Sequence, residues 1–155
     1  MTHHHSDSTV QQEAEAAIRA RASSLIGADL FPGTLSFATG ATVRVNGATN
    51  DESVIVEIVA RQGKLKGSQQ RKVALDAFKL ITLGRSRPGA RLMLVFADED
   101  AAAYARGKGW LAEALKTWDV EVLVVGLDEE LRARIQAAQH SQRDALRSPE
   151  DNDGA

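Results

Sequence analysis

Residues 54–83 read VIVEIVARQGKLKGSQQRKVALDAFKLITL, and this stretch limits the fold more tightly than any other. It opens as an apolar run of strand type, passes through a cationic Gly-Lys loop and continues with helical periodicity. Glu57 stands inside the strand, with Ile55 and Val56 before it and Ile58 and Val59 after it. An uncompensated carboxylate in that setting costs several kcal/mol, so it requires a partner, either a side-chain cation or a metal ion.

The chain has 155 residues, no cysteine and a net charge of −2. Its length suits one domain, and the missing cysteines exclude disulfides and thiolate zinc sites. No segment has the length of a membrane span or the apolar core of a signal peptide, so no membrane partner and a cytoplasmic location are expected. The charge is unevenly placed: −4 over residues 1–60, +8 over 61–91 and −6 over 92–155. The basic block next to Glu57 suits either a phosphate-binding surface or a solvated helix face.

Residues 1–7, with three consecutive histidines, are expected to be a disordered head, residues 8–147 a single α/β domain, and residues 148–155 a disordered acidic tail. Ser8 and Thr9 fit capping boxes for a helix running to about Ile26 and ended by Gly27. On its wheel Glu15 lies at the edge of the apolar face, where it either looks into a cleft or pairs with Arg19. Residues 34–38 and 42–45 read as two strands joined by Thr39-Gly40-Ala41, and the strand carrying Glu57 makes a third.

After a mobile loop, Ser68 is expected to cap a helix reaching Leu83. Val73, Ala74, Ala77, Phe78, Leu80 and Ile81 form its apolar arc, with Gln69, Lys72, Asp76 and Lys79 along a polar one. Residues 91–97 read as a buried strand, capped into a helix by Asp98 and interrupted at Gly107-Lys108-Gly109. Trp110 and Trp118 read as core and edge packing. A last strand at 121–127 leads through Asp128 into a final helix. One mixed sheet with helices on both faces, a three-layer α/β/α sandwich, is expected.

P-loop, dinucleotide-binding, HExxH and GxSxG motifs are absent, and His140 is the sole histidine outside the N-terminal run. What remains is a carboxylate-and-lysine set suited to holding a hard divalent cation, Mg2+ or Mn2+, beside a water that attacks a phosphodiester.

The order helix, strand meander, strand with a central Glu, Gln-bearing helix, strand resembles the restriction-endonuclease-like fold of the PD-(D/E)XK nucleases. The specific part of the likeness is residues 54–80. The chain is also similar to small bacterial proteins of unknown role that share a pattern spread here over Glu57, Ala60, Arg61, Gly63, Lys66, Gln69, Lys72, Asp76, Lys79 and Leu80.

The resemblance implies metal ligation by Glu57, Asp51 and Glu15, and catalytic support from Lys64, Lys66 and Gln69. It further implies contact with nucleic acid through Arg61, Lys72, Lys79, Arg85 and Arg87. Val59 stands where the nuclease pattern has its lysine, and Asn46 or Asp51 would take the place of the upstream acid. Two readings follow: a metal-dependent nuclease acting on DNA or another phosphodiester, and an inactive module of the same fold that binds nucleic acid or protein. A homodimer through a sheet edge or the face near Trp118 is a further expectation.

Overall fold

The computed structural model describes residues 3–147, with side chains from residue 8 to residue 145. The alternation of periods in the sequence becomes α1 (His3–Ile26), β1 (Phe31–Ser36), β2 (Thr42–Ala48), β3 (Val54–Val59), α2 (Gly67–Arg85), β4 (Arg91–Phe96), α3 (Glu99–Arg106), α4 (Trp110–Thr117), β5 (Val120–Val124) and α5 (Glu129–Arg147). The strands form one five-stranded mixed sheet in the order β1-β2-β3-β4-β5. β1, β2 and β3 are an antiparallel meander, whereas β3, β4 and β5 run parallel.

All six residues of β3 are buried, as expected for a central strand covered on both faces. Ile55 and Val59 point into a core shared with Val73, Ala77 and Leu80 of α2 and with Ala101, Ala105, Leu111 and Leu115 of α3 and α4. Val54, Val56 and Ile58 point the other way, into a core with Ile18 and Ala22 of α1 and with Met93 and Val95. Helices therefore cover both faces of the sheet. Among the described residues no helix is long and apolar enough to cross a membrane.

Several local expectations are corrected. α1 begins at His3 rather than at Ser8, since no Pro or Gly interrupts residues 3–7; the expected tail at 148–155 lies outside the described residues. β1 starts earlier than expected and includes Pro32, which an edge strand tolerates at the irregularity between Phe31 and Gly33. Gly107–Gly109 divides two separate helices, and Phe78 and Trp110 are 68% and 72% exposed, so neither is a core residue, while Trp118 lines a surface groove.

The 61–66 loop is anchored. Gln62 N–H donates to Gln139 Oε1 at 2.8 Å, Gly63 N–H to Asp98 Oδ2 at 2.8 Å, and Leu65 is 3% exposed. Lys66, not Ser68, occupies the N-cap of α2, where its N–H donates to Gln69 Oε1 at 2.8 Å. Asp98 and Asp128 cap α3 and α5 as expected, through the N–H groups of Ala101 and Leu131.

Gly47 lies where α1 and Leu30 press on the sheet. A Cβ there would stand 2.9 Å from Val56 Cγ2 and 3.3 Å from Leu30 Cβ, and neither the stiff valine nor a backbone-bound Cβ can yield easily. Gly47→Ala is expected to destabilise the fold by about 1–3 kcal/mol through overpacking, despite the general preference for Ala over Gly inside a strand. Urea denaturation measures it, and an unchanged or raised midpoint would contradict the packing described.

Candidate functional site: a split sheet and the cavity beside it

β2 and β3 pair at Gly47 with Val56 and at Ala48 with Ile55, and then part. Asn46 and Glu57 fill the gap with side chains: Asn46 N–H donates to Glu57 Oε1 at 3.2 Å, and Ile58 N–H donates to Asn46 Oδ1 at 2.8 Å. Each replaces a ladder bond, so the buried backbone stays satisfied where the strands separate. The carbonyls that β2 frees are taken by cations from opposite faces of the sheet. Lys79 Nζ of α2 donates to Arg44 O at 3.0 Å, and Arg19 of α1 donates to Asn46 O at 3.1 Å.

Lys79 also supplies the partner that Glu57 requires, with Nζ 3.4 Å from Oε2. Glu57 is 3% exposed, and Asp76, itself 5% exposed, pairs with Lys72 at 3.2 Å. The polar arc of α2 is thus buried at Asp76 and turned toward Glu57 at Lys79, while Lys72 stays largely in solvent. Burial pushes the Glu57 carboxyl above its ordinary value; Asp76 adds to the rise, while Lys79 and the Asn46 N–H pull it back.

The expected metal ligands do not converge. Asp51 Oδ1 is held in its own turn by Thr49 Oγ1 at 2.8 Å, Ser53 Oγ at 2.7 Å and Ser53 N–H at 3.1 Å, and these bonds hold its pKa down at about 2. It precedes β3, and Glu57 lies a further three strand residues on, about 10 Å of extended chain. Glu15 sits on α1 across the sheet. Among the described residues no three Asp, Glu or His side chains form a group that could hold a metal ion. A hard divalent ion needs several oxygens together, and this donor set does not fit one. Lys64 and Lys66 are exposed in the loop, and neither pairs with Glu57.

The structure does gather Glu15, Arg61, Gln69 and Lys72. They line a cavity of about 190 Å³ at the carboxyl end of β3, between the first half of α1, the start of α2 and the α5 face bearing Ile135, Ala138 and Gln142. Crevices outside the carboxyl ends of parallel strands are the usual ligand sites of α/β sheets. Ile58, Val59 and Val73 supply apolar wall, so the position at which the nuclease pattern has its lysine is part of that wall.

Glu15 does not pair with Arg19, which is committed to Asn46. Neither the Glu15 nor the Arg61 side chain makes a hydrogen bond or ion pair with any described residue. Burial lowers the Arg61 pKa, and the nearby Arg143 guanidinium lowers it further.

Of the remaining expected residues, Arg87 is a structural clamp. It binds Glu52 Oε2 at 3.0 Å and Ser36 O at 2.8 Å, and it lies 6.0 Å from the Phe37 ring centre. Arg85 is exposed beside a shallow groove formed with Phe37, Ile81 and Trp118. The residues that sequence reasoning missed are Asn46 as a side-chain bridge and the α5 residues Gln139, Gln142 and Arg143. Gln139 exchanges two bonds with the Gln62 backbone, at 2.8 and 3.0 Å. Such amide-to-backbone bonds between distant segments leave no local pattern.

Because the folded state holds the Glu57 proton more tightly than the unfolded chain, the stability this group contributes is full below its ordinary pKa of 4.5. It is lost as pH rises through the higher folded value, by at most about 1.4 kcal/mol per pH unit. Glu57→Gln removes the titration, so between pH 4 and pH 8 its stability should gain on the wild type as pH increases. A difference independent of pH in urea titrations would refute the raised carboxyl.

Compared with known proteins, the chain matches no family model, no curated protein and no solved structure.

Proposed function

We propose that the protein is a nucleic-acid-binding module of the restriction-endonuclease-like fold that binds without cutting. The fold assignment is supported by the order α1, antiparallel β1-β2-β3, α2 and then β4 parallel to β3, which is the arrangement the resemblance implies. Helices on both faces make it a three-layer sandwich.

The observation that carries the binding reading is the division of the basic block. Lys72, Lys79, Arg87 and Arg91 are taken up by Asp76, Glu57, Glu52 and Glu121. Arg61, Lys64, Lys66 and Arg71 pair with no acid among the described residues, and they cluster from the end of β3 to the first turns of α2. The first turn of α2 contains no acid, so the positive end of the helix dipole reinforces the same patch. Phosphates are the complementary ligand, and contacts of this kind position a strand without reading its sequence.

A nuclease would need Glu57 freed from Lys79 and Asn46 and joined by further oxygens. In the present geometry its carboxylate is committed, which supports binding over hydrolysis.

Binding to single- and double-stranded oligonucleotides should weaken steeply with salt. Lys64→Ala/Lys66→Ala/Arg71→Ala should reduce the log–log salt slope by about 2–3, near 0.9 per lost phosphate contact. Plasmid and linear DNA with Mg2+ or Mn2+ should stay intact with the wild type and with Glu57→Ala. Cleavage by the wild type that Glu57→Ala abolishes would establish the nuclease instead.

One observation favours protein docking as a second reading. Leu75 and Phe78, one turn apart on α2, are 65% and 68% exposed, and the groove containing Trp118 lies beyond them. A contiguous exposed apolar face of this sort marks an interaction site. If it joins two copies of the chain, sedimentation should show a dimer that Leu75→Ser/Phe78→Ser converts to monomer; a wild-type monomer at all concentrations would remove the homodimer.

A further inference from the structure

Most polar groups around the cavity are committed. Gln139 is held by the Gln62 backbone, Gln69 Oε1 by Lys66 N–H, and Lys72 by Asp76. Against that background the side chains of Glu15 and Arg61, and of the exposed Gln11 and Gln142, line the same cavity and bond to no described residue. A carboxylate and a guanidinium in one half-buried space normally pair with each other, since leaving either alone forfeits the compensation for lost hydration. Here α1 and the end of β3 hold them apart. The Arg61 guanidinium also faces the like charge of Arg143 from α5, a repulsion that a bound anion relieves.

The ligand these groups would satisfy has an anionic group for Arg61 and Arg143, hydrogen-bond donors for Glu15, and a compact body that packs against Val59, Val73 and Ile135. An aliphatic tail fails the second requirement, because it would leave the half-buried Glu15 carboxylate dehydrated and unpaired. A free inorganic phosphate leaves the apolar walls unused. Size narrows the choice: a cavity of about 150 Å³ accepts a benzene ring, so about 190 Å³ accommodates one ring with exocyclic groups.

We infer that this cavity binds a single nucleotide, with a pyrimidine-sized base inside against Glu15 and the phosphate at the mouth on Arg61 and Arg143. The nucleotide is either free or at the 5′ end of a strand. The strand-end form deepens the nucleic-acid reading above and rests on it, since the Lys64, Lys66 and Arg71 patch adjoins the mouth; the free form does not depend on that reading.

Calorimetry with CMP, UMP, AMP and GMP, with cytidine, and with glycine and glutamate as zwitterionic controls tests the site directly. CMP or UMP should bind at least tenfold more tightly than the purine nucleotides or cytidine. Arg61→Ala and Glu15→Gln should each weaken that binding at least tenfold, whereas Arg106→Ala, which breaks a surface pair with Glu99 on α3 away from the cavity, should leave it within about twofold. On the wild type, methyl NMR shifts on CMP addition should centre on Val59, Val73 and Ile135, a readout that needs no variant.

Oligonucleotides with and without a 5′ phosphate separate the two sources: a phosphate-dependent gain that Arg61→Ala removes establishes the strand end. Mononucleotide binding without any oligonucleotide binding would overturn the nucleic-acid reading and keep this site. Salt-dependent oligonucleotide binding with no mononucleotide binding and no effect of the 5′ phosphate would overturn the site alone. Binding of an amino acid in place of the nucleotides would likewise overturn it.

Discussion

The carboxylate of Glu57, 3% exposed in the middle of a buried strand, is the constraint around which this end of the molecule is built. Dehydrating it is costly, and Lys79 and the Asn46 N–H offset that cost. Both partners come with structural consequences. Lys79 fixes α2 against the edge of β2 through the Arg44 carbonyl. Asn46, by bonding to Glu57 and Ile58 with one backbone and one side-chain group, substitutes for the ladder at the point where β2 turns away from β3. The charge, the helix position and the split in the sheet form one arrangement.

That split shapes what lies beyond the carboxyl end of β3. With β2 diverted, α1 and α2 approach from opposite faces, and α5 closes the third side through the exchange between Gln139 and the Gln62 backbone. The cavity between them collects two charged side chains that find no match among the described residues. The adjoining loop is anchored by Asp98 and by the buried Leu65, so its lysines are presented by a fixed backbone. A rigid cationic rim around a half-polar cavity is suited to recognition. A committed Glu57, with Asp51 fastened into its own turn, is poorly suited to metal-assisted hydrolysis.

The resemblance to PD-(D/E)XK nucleases drew Glu57, Asp51 and Glu15 into one imagined centre, and the geometry separates them. Glu57 was legible as anomalous because the other five residues of its strand are all apolar, which marks the strand as buried. Its partner was not legible, since Lys79, Arg61 and a metal ion satisfy the same requirement and only helix placement distinguishes them. For Glu15 the wheel gave the correct edge of α1. Its apparent mate Arg19, one turn away, was drawn off by a β2 carbonyl that exists only because the sheet splits. Phe78 lay on the margin of the expected apolar arc, and the face that α2 buries is turned the other way, toward Asp76 and Leu83. Trp110 at the start of α4 was misread because size alone does not tell a core residue from an exposed one.

The sequence by itself determined the order of strands and helices, the turn at Gly40, the caps at Asp98 and Asp128, and the burial of β3 on both faces. These rest on local matters: the two periodicities, side-chain bonds to nearby backbone, and the freedom of glycine at positive φ, +91° at Gly40. Only the tertiary structure decided that Lys79 answers Glu57, that β2 leaves β3 at Gly47, and that α5 supplies a wall of the cavity. Those outcomes pair groups far apart along the chain, and many such pairings satisfy the same local rules until the packing of three layers selects one.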